Sequence, residues 1–487
     1  MKTHFPYQDI GEMSIEKAKL FITCIKNSHI LNALNVLNKI TEEGYEAYIV
    51  GGTVRDILLE KQPHDIDIAT NIPMDTISNI WKTHDIGQSK DFGIVTIKEK
   101  NTIIEVAQFR QDCQYTNGRR PSSINIVNSF KEDCARRDFT INSMGMDKDY
   151  NIIDFHGGQE DIKNKIIKTV GSPTNRFTED YLRIMRAVRF TATLGFSLDK
   201  QTKWATIKLS SRVQQLPVER IYDEVHKAAS QEGKIFAKYI ELLDSVKVLR
   251  FLSPELISLK YLKQSTKHHP EGNLKSRYPG SIWLHTLEAL KTNIDTNPID
   301  NLAILFHDIG KATTYELEDG KATYKKHDVV GVKLFNHIAD RLKLSNKDRE
   351  AICFAIENHM KFHLINEMKS SKIFKIVTSP YWNVLVSVAK ADSLSRGGEF
   401  EYKDEFEKIV KQALEIKNKW EEYLTQKQQT QLIDGNHVMN LVGITTGPLV
   451  GKIIKEVSQL LMDGELTEEG IDNEIRNQYE KYRSNFR

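Results

Sequence analysis

Cysteine is scarce. Four residues in 487, Cys24, Cys113, Cys134 and Cys353, are scattered with no CxxC pair, which leaves no basis for a thiolate zinc site or a disulfide framework. Long apolar runs are also missing; nothing approaches the roughly 20 residues that cross a bilayer. The opening MKTHFPYQDIGEM has no apolar stretch of the secretion type, and Asp9, Glu12 and Glu16 argue against a transit peptide. The expected setting is a reducing cytoplasm with no membrane contact. Neither sign of charge dominates, with 68 Lys and Arg against 66 Asp and Glu. Any polyanion site must therefore come from local clusters, such as Arg119-Arg120, Arg136-Arg137, or Arg176, Arg183, Arg186 and Arg189. Internal repeats and low-complexity tracts are absent.

What is present is an ordinary globular composition, 40% hydrophobic and 28% charged, at a length that implies two to four domains. Residues 14–45 carry apolar positions at helical spacing (Ile15, Leu20, Ile22, Ile25, then Leu31, Leu34, Leu37, Ile40). From Tyr45 to about Gly158 short β-rich runs take over: AYIV at 47–50, DIDIA at 65–69, GIVTI at 93–97, TIIEVAQF at 102–109, INIV at 124–127 and NIIDF at 151–155. One helix, TVRDILLEK, separates the first two. This predicts an α+β N-terminal head built on a mixed sheet. Beyond residue 160 only helical periodicity is visible, which predicts all-α domains, with a polar segment at 264–280 as the linker between them.

Two features of the head carry chemistry. Gly51-Gly52 follows an apolar run and opens a helix, a place where backbone approaches a ligand closely and helix N–H groups meet phosphate; the same pair also suits a plain tight turn. Asp65 and Asp67 lie two apart on a predicted strand, hence on one face. Paired carboxylates suit Mg²⁺, a hard cation that keeps waters and substrate phosphates. They also suit in-line nucleotidyl transfer, where metal activates a hydroxyl and neutralises pyrophosphate. An exposed strand edge with protective charges is the plainer alternative, but apolar Ile66 and Ile68 between and beside them suggest a cleft wall. Glu105, opposite in phase to Ile104 and Val106, is a candidate third carboxylate, as ligand or base.

At these residues the chain resembles class II CCA-adding tRNA nucleotidyltransferases and bacterial poly(A) polymerases. The resemblance runs through GGTVRD (51–56) with DIDIAT (65–70), RRDFTINS (136–143), DFHGGQED (154–161), EDYLRIMRAVRF (179–190) and LPVERI (216–221). It implies that Gly51, Gly52 and Arg55 hold the triphosphate and that Asp65 and Asp67 bind Mg²⁺. Arg137, Asp138 and Asn142 then meet the nucleotide and its ribose, and Asp180 with Arg183, supported by Arg186 and Arg189, reads the incoming base. At Ala107-Gln108 the chain departs from the threonines usual in the family. The loop at 115–121 and the GQSKDFG segment (87–93) also fit the family pattern. On one continuous helix Glu179, Arg183 and Arg186 would share a face with Asp180 beside it. A carboxylate acceptor next to a guanidinium would accept cytosine and adenine, whose amino donor adjoins a ring acceptor, and reject guanine and uracil.

The helical half contains His285, the adjacent His307-Asp308 with Lys311 nearby, His327, His359 and Asp392. A lone histidine is more often packed than metal-bound, but the adjacent His-Asp pair shifts that balance. The set resembles the HD phosphohydrolase superfamily. That resemblance implies His285, His307, Asp308 and Asp392 as ligands of one divalent metal (Ni, Mn, Co, Mg or Fe), with His327 and His359 as the extra ligands of two-metal members. Such a site hydrolyses phosphomonoesters or cyclic phosphates, with Lys311 placed to stabilise phosphate charge.

The expected layout is an N-terminal helical extension (1–30), a nucleotidyltransferase head (31–160), a helical neck and body (161–270), an HD domain (271–400) and a helical tail (401–487). The expected activity is template-independent addition of CCA to the tRNA 3′ end, with CTP and ATP as substrates, the tRNA acceptor arm as RNA partner, Mg²⁺ at the transferase site, and no protein partner inferred. An A-adding enzyme or a poly(A) polymerase would share these motifs, and an HD phosphohydrolase with an RNA-binding N-terminal module is a further possibility.

Overall fold

The computed structural model describes residues 15–63, 65–84, 93–115, 121–263, 278, 280–319, 321–395, 399–430, 433–463 and 465–483. The segment 87–92, the loop residues 116–120, most of the 264–280 linker and the first 14 residues lie outside them. Two compact units divide the chain, one from residues 1–228 with 238–252, the other from 229–237 with 253–487.

The first unit is organised by strands β1 (Ala47–Val50), β2 (Asp67–Thr70), β3 (Thr83–His84), β4 (Ile94–Glu99), β5 (Thr102–Gln108), β6 (Arg110–Tyr115), β7 (Pro121–Ile126), β8 (Met144–Met146), β9 (Ile152–Asp154), β10 (Ile166–Ile167) and β11 (Ser197–Leu198). Seven of them form one sheet in the order β3-β4-β5-β2-β1-β8-β9. The β2–β5 pair is parallel and its neighbours are antiparallel, so the sheet is mixed as the sequence implies. The helix Ser28–Glu42 presents Ile30, Leu34, Leu37 and Ile40 at 3–4 spacing, and these join Ile49, Ile68, Ile97, Ile104 and Val106 in one core. Asn27 starts that helix by accepting from the backbone N–H groups of His29 and Ile30. A smaller cluster of Val50, Ala69, Phe109, Phe130 and Cys134 includes Tyr48, whose ring stacks on Phe130 at 4.3 Å.

Three sequence expectations are corrected here. Asp65 precedes β2 instead of lying on it, because the strand begins at Asp67. The 179–196 stretch is not one helix: Pro173–Glu179 ends, Asp180 is extended (φ −142°, ψ 108°), and a new helix runs Leu182–Leu194. Strands also occur past residue 160. Parallel β10 and β11 pair across the intervening helices, and β12 (Glu316–Glu318) forms a hairpin with β13 (Lys321–Thr323) in the second unit. Pieces of two or three residues are too short to show a period of two.

Among its described residues the second unit is helical apart from that hairpin. Helices Ile282–Thr292, Pro298–Phe306, His327–Leu342, Asn346–Phe362 and Trp382–Leu394 form its first part. Phe362, Ile373, Trp382, Leu385 and Ile409 make a core that includes the long helix Glu399–Thr430. The tail has its own core of Val438, Val450, Ile453, Val457, Ile471 and Ile475. It is tied back by Asp463, which accepts from the Ser371 backbone N–H at 3.0 Å and from its hydroxyl at 3.1 Å. Among the described residues no helix is long and apolar enough to cross a membrane.

One backbone contact positions the chemistry of this unit. Gly310, in the short turn Ile309–Ala312, lies so close to the start of the His327–Leu342 helix that a Cβ there would fall 1.9 Å from the His327 carbonyl oxygen and 2.6 Å from the Gly331 nitrogen. Both glycines are needed for this approach. Gly310→Ala is expected to destabilise the second unit by about 1–3 kcal/mol or more, since backbone must move. Gly451→Ala, on a helix with nothing within 4 Å of the new methyl, is expected to stabilise by roughly 0.5–1 kcal/mol. Denaturant unfolding of the full chain checks both signs.

Candidate active site and metal centre

In the head, the parallel register sets Asp67 directly opposite Glu105. On β5, Thr102, Ile104 and Val106 are buried while Ile103 and Glu105 are exposed, so Glu105 leaves the core on the face that Asp67 shares. Asp65 is held two residues before the start of β2 by Thr53, whose hydroxyl donates to the Asp65 carbonyl at 2.9 Å. Gly51 completes the corner. Its φ is +70°, and a Cβ there would stand 3.3 Å from Arg137 Nη1 and 3.9 Å from Asp67 Oδ2, so only glycine admits this approach without strain.

Burial pushes the Asp67 carboxyl up to about 6, Glu105 and Asp65 add to the rise, and Arg137 opposes it. A buried carboxylate with two further carboxylates acting on it is part of a donor set suited to a hard divalent cation, which removes the repulsion. Asp65, Asp67 and Glu105 fit Mg²⁺ on that ground.

Arg137 is itself anchored. Asp133, fully buried, accepts from Arg137 Nη2 at 2.9 Å and from Arg136 Nε at 2.9 Å. A second chain of contacts starts at Arg55, whose Nη1 donates to Asn142 Oδ1 at 2.7 Å. Asn142 Nδ2 donates to Asp138 Oδ1 at 3.2 Å, and Arg186 Nε donates to Asp138 Oδ2 at 2.7 Å. Arg55, Arg186 and Arg189 all lie over the Phe190 ring, at 5.1, 5.2 and 4.3 Å from its centroid. Arg189 turns to the buried Glu224 at 2.6 Å.

The Asp180–Arg183 side-chain pair expected from the sequence is replaced by other partners. Asp180 is paired with Arg220 at 2.8 Å, and its Oδ1 accepts from the Leu182 N–H. Arg183 is paired with Glu179 and donates to the carbonyls of Arg176 and Arg136. The helix break turns the Asp180 carboxylate toward the Arg220 side. The DFHGGQED segment is a clasp: Asp154 accepts from the N–H groups of His156, Gly157, Gly158 and Gln159. A Cβ on Gly158 would meet the Thr140 carbonyl oxygen at 2.3 Å, while the Thr140 hydroxyl donates to Asp161.

In the second unit five helices deliver one buried cluster. His285, His307, Asp308, His327, His359 and Asp392 are each at most 8% exposed. Their donors form two triads about a shared carboxylate, His285–His307–Asp308 and Asp308–His327–His359. The Nε2 atoms of His285 and His307 are 3.3 Å apart, as are those of His327 and His359. Asp308 Oδ1 is 3.4 Å from His327 Nε2, and its Oδ2 is 3.4 Å from His307 Nε2. Asp392 lies outside both triads and touches the first through His285, at 3.1 Å. The Nδ1 atoms of His307, His327 and His359 lie 2.7–2.8 Å from the carbonyls of Ile304, Tyr324 and Ile356. Those contacts place the proton on Nδ1 and turn each Nε2 lone pair inward, the arrangement of metal-ligating histidines. The donor set fits one or two divalent cations of the imidazole and carboxylate class.

Electrostatics agree for Asp308, His285 and His327, whereas Asp308 raises His307 against its burial. Burial raises the Asp308 carboxyl, but Lys311, 2.6 Å away, and His307 outweigh it and hold it well below the usual range. Burial lowers His285 and His327, favouring their neutral, ligating form.

The sequence reading passed over His363, whose Nε2 is 3.2 Å from Asp392 Oδ2. The signal was available: HMKFH places His359 and His363 one helical turn apart. It also passed over Asp133, although Arg136 and Arg137 follow it at i+3 and i+4, a spacing that pairs side chains on a helical turn.

Comparison with known proteins places residues 47–168 in the family described as the Poly A polymerase head domain, 195–259 in the probable RNA and SrmB-binding site of polymerase A, and 288–397 in the HD domain. The chain is 41% identical over 269 residues to a CCA-adding enzyme of Listeria monocytogenes serotype 4b (strain CLIP80459), covering 55% of this chain and 66% of that one. It is 44% identical over 212 residues to a CCA-adding enzyme of Geobacillus sp. (strain WCH70), covering 43% and 52%. The chain thus spans about half to two thirds of the length of these curated relatives. The solved Bacillus stearothermophilus CCA-adding enzyme in complex with CTP superposes with a TM-score of 0.67 at 25% identity, over 94% of this chain and all of that one. The Thermotoga maritima CCA-adding enzyme complexed with tRNA shares the fold, with a TM-score of 0.53 at 20% identity, over 94% and 98%.

The Asp67 environment yields a pH prediction. The folded carboxyl keeps its proton up to about pH 6, while the unfolded chain releases it near the ordinary 3.8. Metal-free stability from this group is therefore lowest above 6 and grows as pH falls from 6 toward 4. Because the ionised form is the ligand, Mg²⁺ binding should weaken in the opposite sense as pH falls through about 6. Calorimetric Mg²⁺ titration of an Asp308→Ala chain, in which the second cluster is broken, checks this.

Proposed function

We propose that this chain, a member of the family of CCA-adding nucleotidyltransferases and poly(A) polymerases that also carries an HD domain, adds CCA to tRNA 3′ ends from CTP and ATP. The carrying observation is Asp67, set opposite Glu105 by the strand register and close to Gly51 and Arg137, in a chain 41% identical over 269 residues to a CCA-adding enzyme. The RNA 3′-hydroxyl oxygen attacks the α-phosphorus of the nucleotide, the bond to the bridging oxygen breaks, and pyrophosphate leaves. Asp65 and Asp67 would hold Mg²⁺, which when bound would supply charge neutralisation and a lower hydroxyl pKa. Glu105 lies where it can ligate or take the hydroxyl proton. Arg55 and Arg137, with the Gly51-Gly52 turn, hold the triphosphate; Asp138 and Asn142 meet the ribose.

For base choice, the carboxylate of Asp180 and the guanidinium of Arg183 leave Arg220 and Glu179 to meet the base, with Arg186 and Arg189 behind them. An acceptor beside a donor selects cytosine and adenine. Residues 31–160 and 161–270 serve as head and neck for addition, 271–400 as the HD domain and 401–487 as a tail, in the reducing cytoplasm. In the HD site the histidines and aspartates hold a divalent cation, which supplies Lewis acidity. Lys311 orients the phosphate of an RNA-end phosphomonoester or cyclic phosphate.

The test uses tRNA transcripts ending before CCA, before the final A, or complete, with each nucleotide singly and with CTP plus ATP. Addition of CCA followed by a stop is expected. Addition of A alone, or an unlimited A tail, would replace this reading with an A-adding enzyme or a poly(A) polymerase. Asp65→Ala with Asp67→Ala should lower addition by more than about a hundredfold. His307→Ala with Asp308→Ala should leave addition intact and abolish hydrolysis of a nucleoside 2′,3′-cyclic phosphate; undiminished hydrolysis would remove the HD assignment.

A further inference from the structure

The geometry points to His363 as a positioning residue of the HD metal centre, one that orients the Asp392 carboxylate; this rests on the HD reading above. Asp392 is the predicted ligand that neither donor triad includes. Its two oxygens face different ways: Oδ1 lies 3.1 Å from His285 Nε2, and Oδ2 lies 3.2 Å from His363 Nε2. His363 likewise belongs to neither triad, so it reaches the far oxygen of a ligand instead of the cluster itself. It caps the helix Asn346–Phe362 one turn beyond His359, and its side chain is 24% exposed where Asp392 is 5%. A half-buried imidazole at the rim is placed to hold an inner carboxylate without taking a ligand position.

A carboxylate turns about its Cβ–Cγ bond over a broad, nearly two-fold range. An N–H donated from His363 Nε2 to Oδ2 fixes that rotation and leaves Oδ1 turned to the side where His285 stands. Partners outside the ligand shell act in this way, orienting ligands and raising their basicity, and their loss typically weakens metal binding about 10–100-fold.

Titration calorimetry of the full chain with Mn²⁺ tests this, with His285→Ala as the ligand-loss control. His363→Ala should weaken Mn²⁺ binding about 10–100-fold. His363→Gln, whose amide N–H reaches similarly far, should restore most of the loss. CCA addition by both variants should match the unchanged chain, which shows that the head is intact. Wild-type affinity in His363→Ala while His285→Ala binds poorly overturns the positioning role. So does His363→Gln binding as weakly as His363→Ala, which would make the effect one of packing. Failure of the unchanged chain to bind Mn²⁺ overturns the HD reading, and the role of His363 with it.

Discussion

A carboxylate taken out of water costs several kcal/mol unless cations and hydrogen-bond donors surround it, and both sites of this chain are built around that requirement. In the head, buried Asp133 gathers Arg136 and Arg137, and Asp138 gathers Arg186 and Asn142. Arg137 is thereby held beside Gly51 and within electrostatic reach of Asp67. Removing one partner from such a buried pair typically costs about 3–5 kcal/mol, so the arginines around the head site are structural anchors. Asp67 is the carboxylate left incompletely compensated, and its pKa rises accordingly. That unfinished balance is what a bound cation completes.

The HD centre meets the same requirement differently. Asp308 is shared by two histidine triads and by Lys311, so its charge is compensated even without metal. The surrounding histidines differ: burial favours neutral His285 and His327, whereas Asp308 raises His307 against its burial. Backbone carbonyls fix three of the imidazoles, so the centre is largely preformed. The backbone contact between Gly310 and the His327–Leu342 helix brings Asp308 and Lys311 up to His327, which local sequence spacing alone could not arrange.

The segment around Asp180 and Arg183 shows how far the two levels can diverge. A continuous helix would have set Asp180 beside Arg183. The break at Asp180 hands its carboxylate to Arg220 and gives Arg183 to Glu179 and two backbone carbonyls. Both side chains are thus already satisfied by protein partners of the kind a base edge would offer. Exchange of such partners for a base edge, as proposed above, would require little change in the number of hydrogen bonds, and net energies per bond are small, about 1 kcal/mol.

Much of this protein is local and was legible in the residues. The alternation in TIIEVAQF put Glu105 on the face away from Ile104 and Val106, the Gly51 turn was visible from its Gly-Gly, and the HD histidines stood out by residue type. Hydrophobic period and turn chemistry act over a few residues, and a sequence displays them directly. What required the tertiary structure was every relation across the chain: the parallel register that sets Asp67 opposite Glu105, the capture of Asp180 by Arg220 forty residues away, and the reach of His363 to Asp392. Long side chains choose partners by distance and burial after the chain has packed, and neither is written in spacing. The sequence alone determined the classes of chemistry available to the two sites; packing decided which charges face one another there.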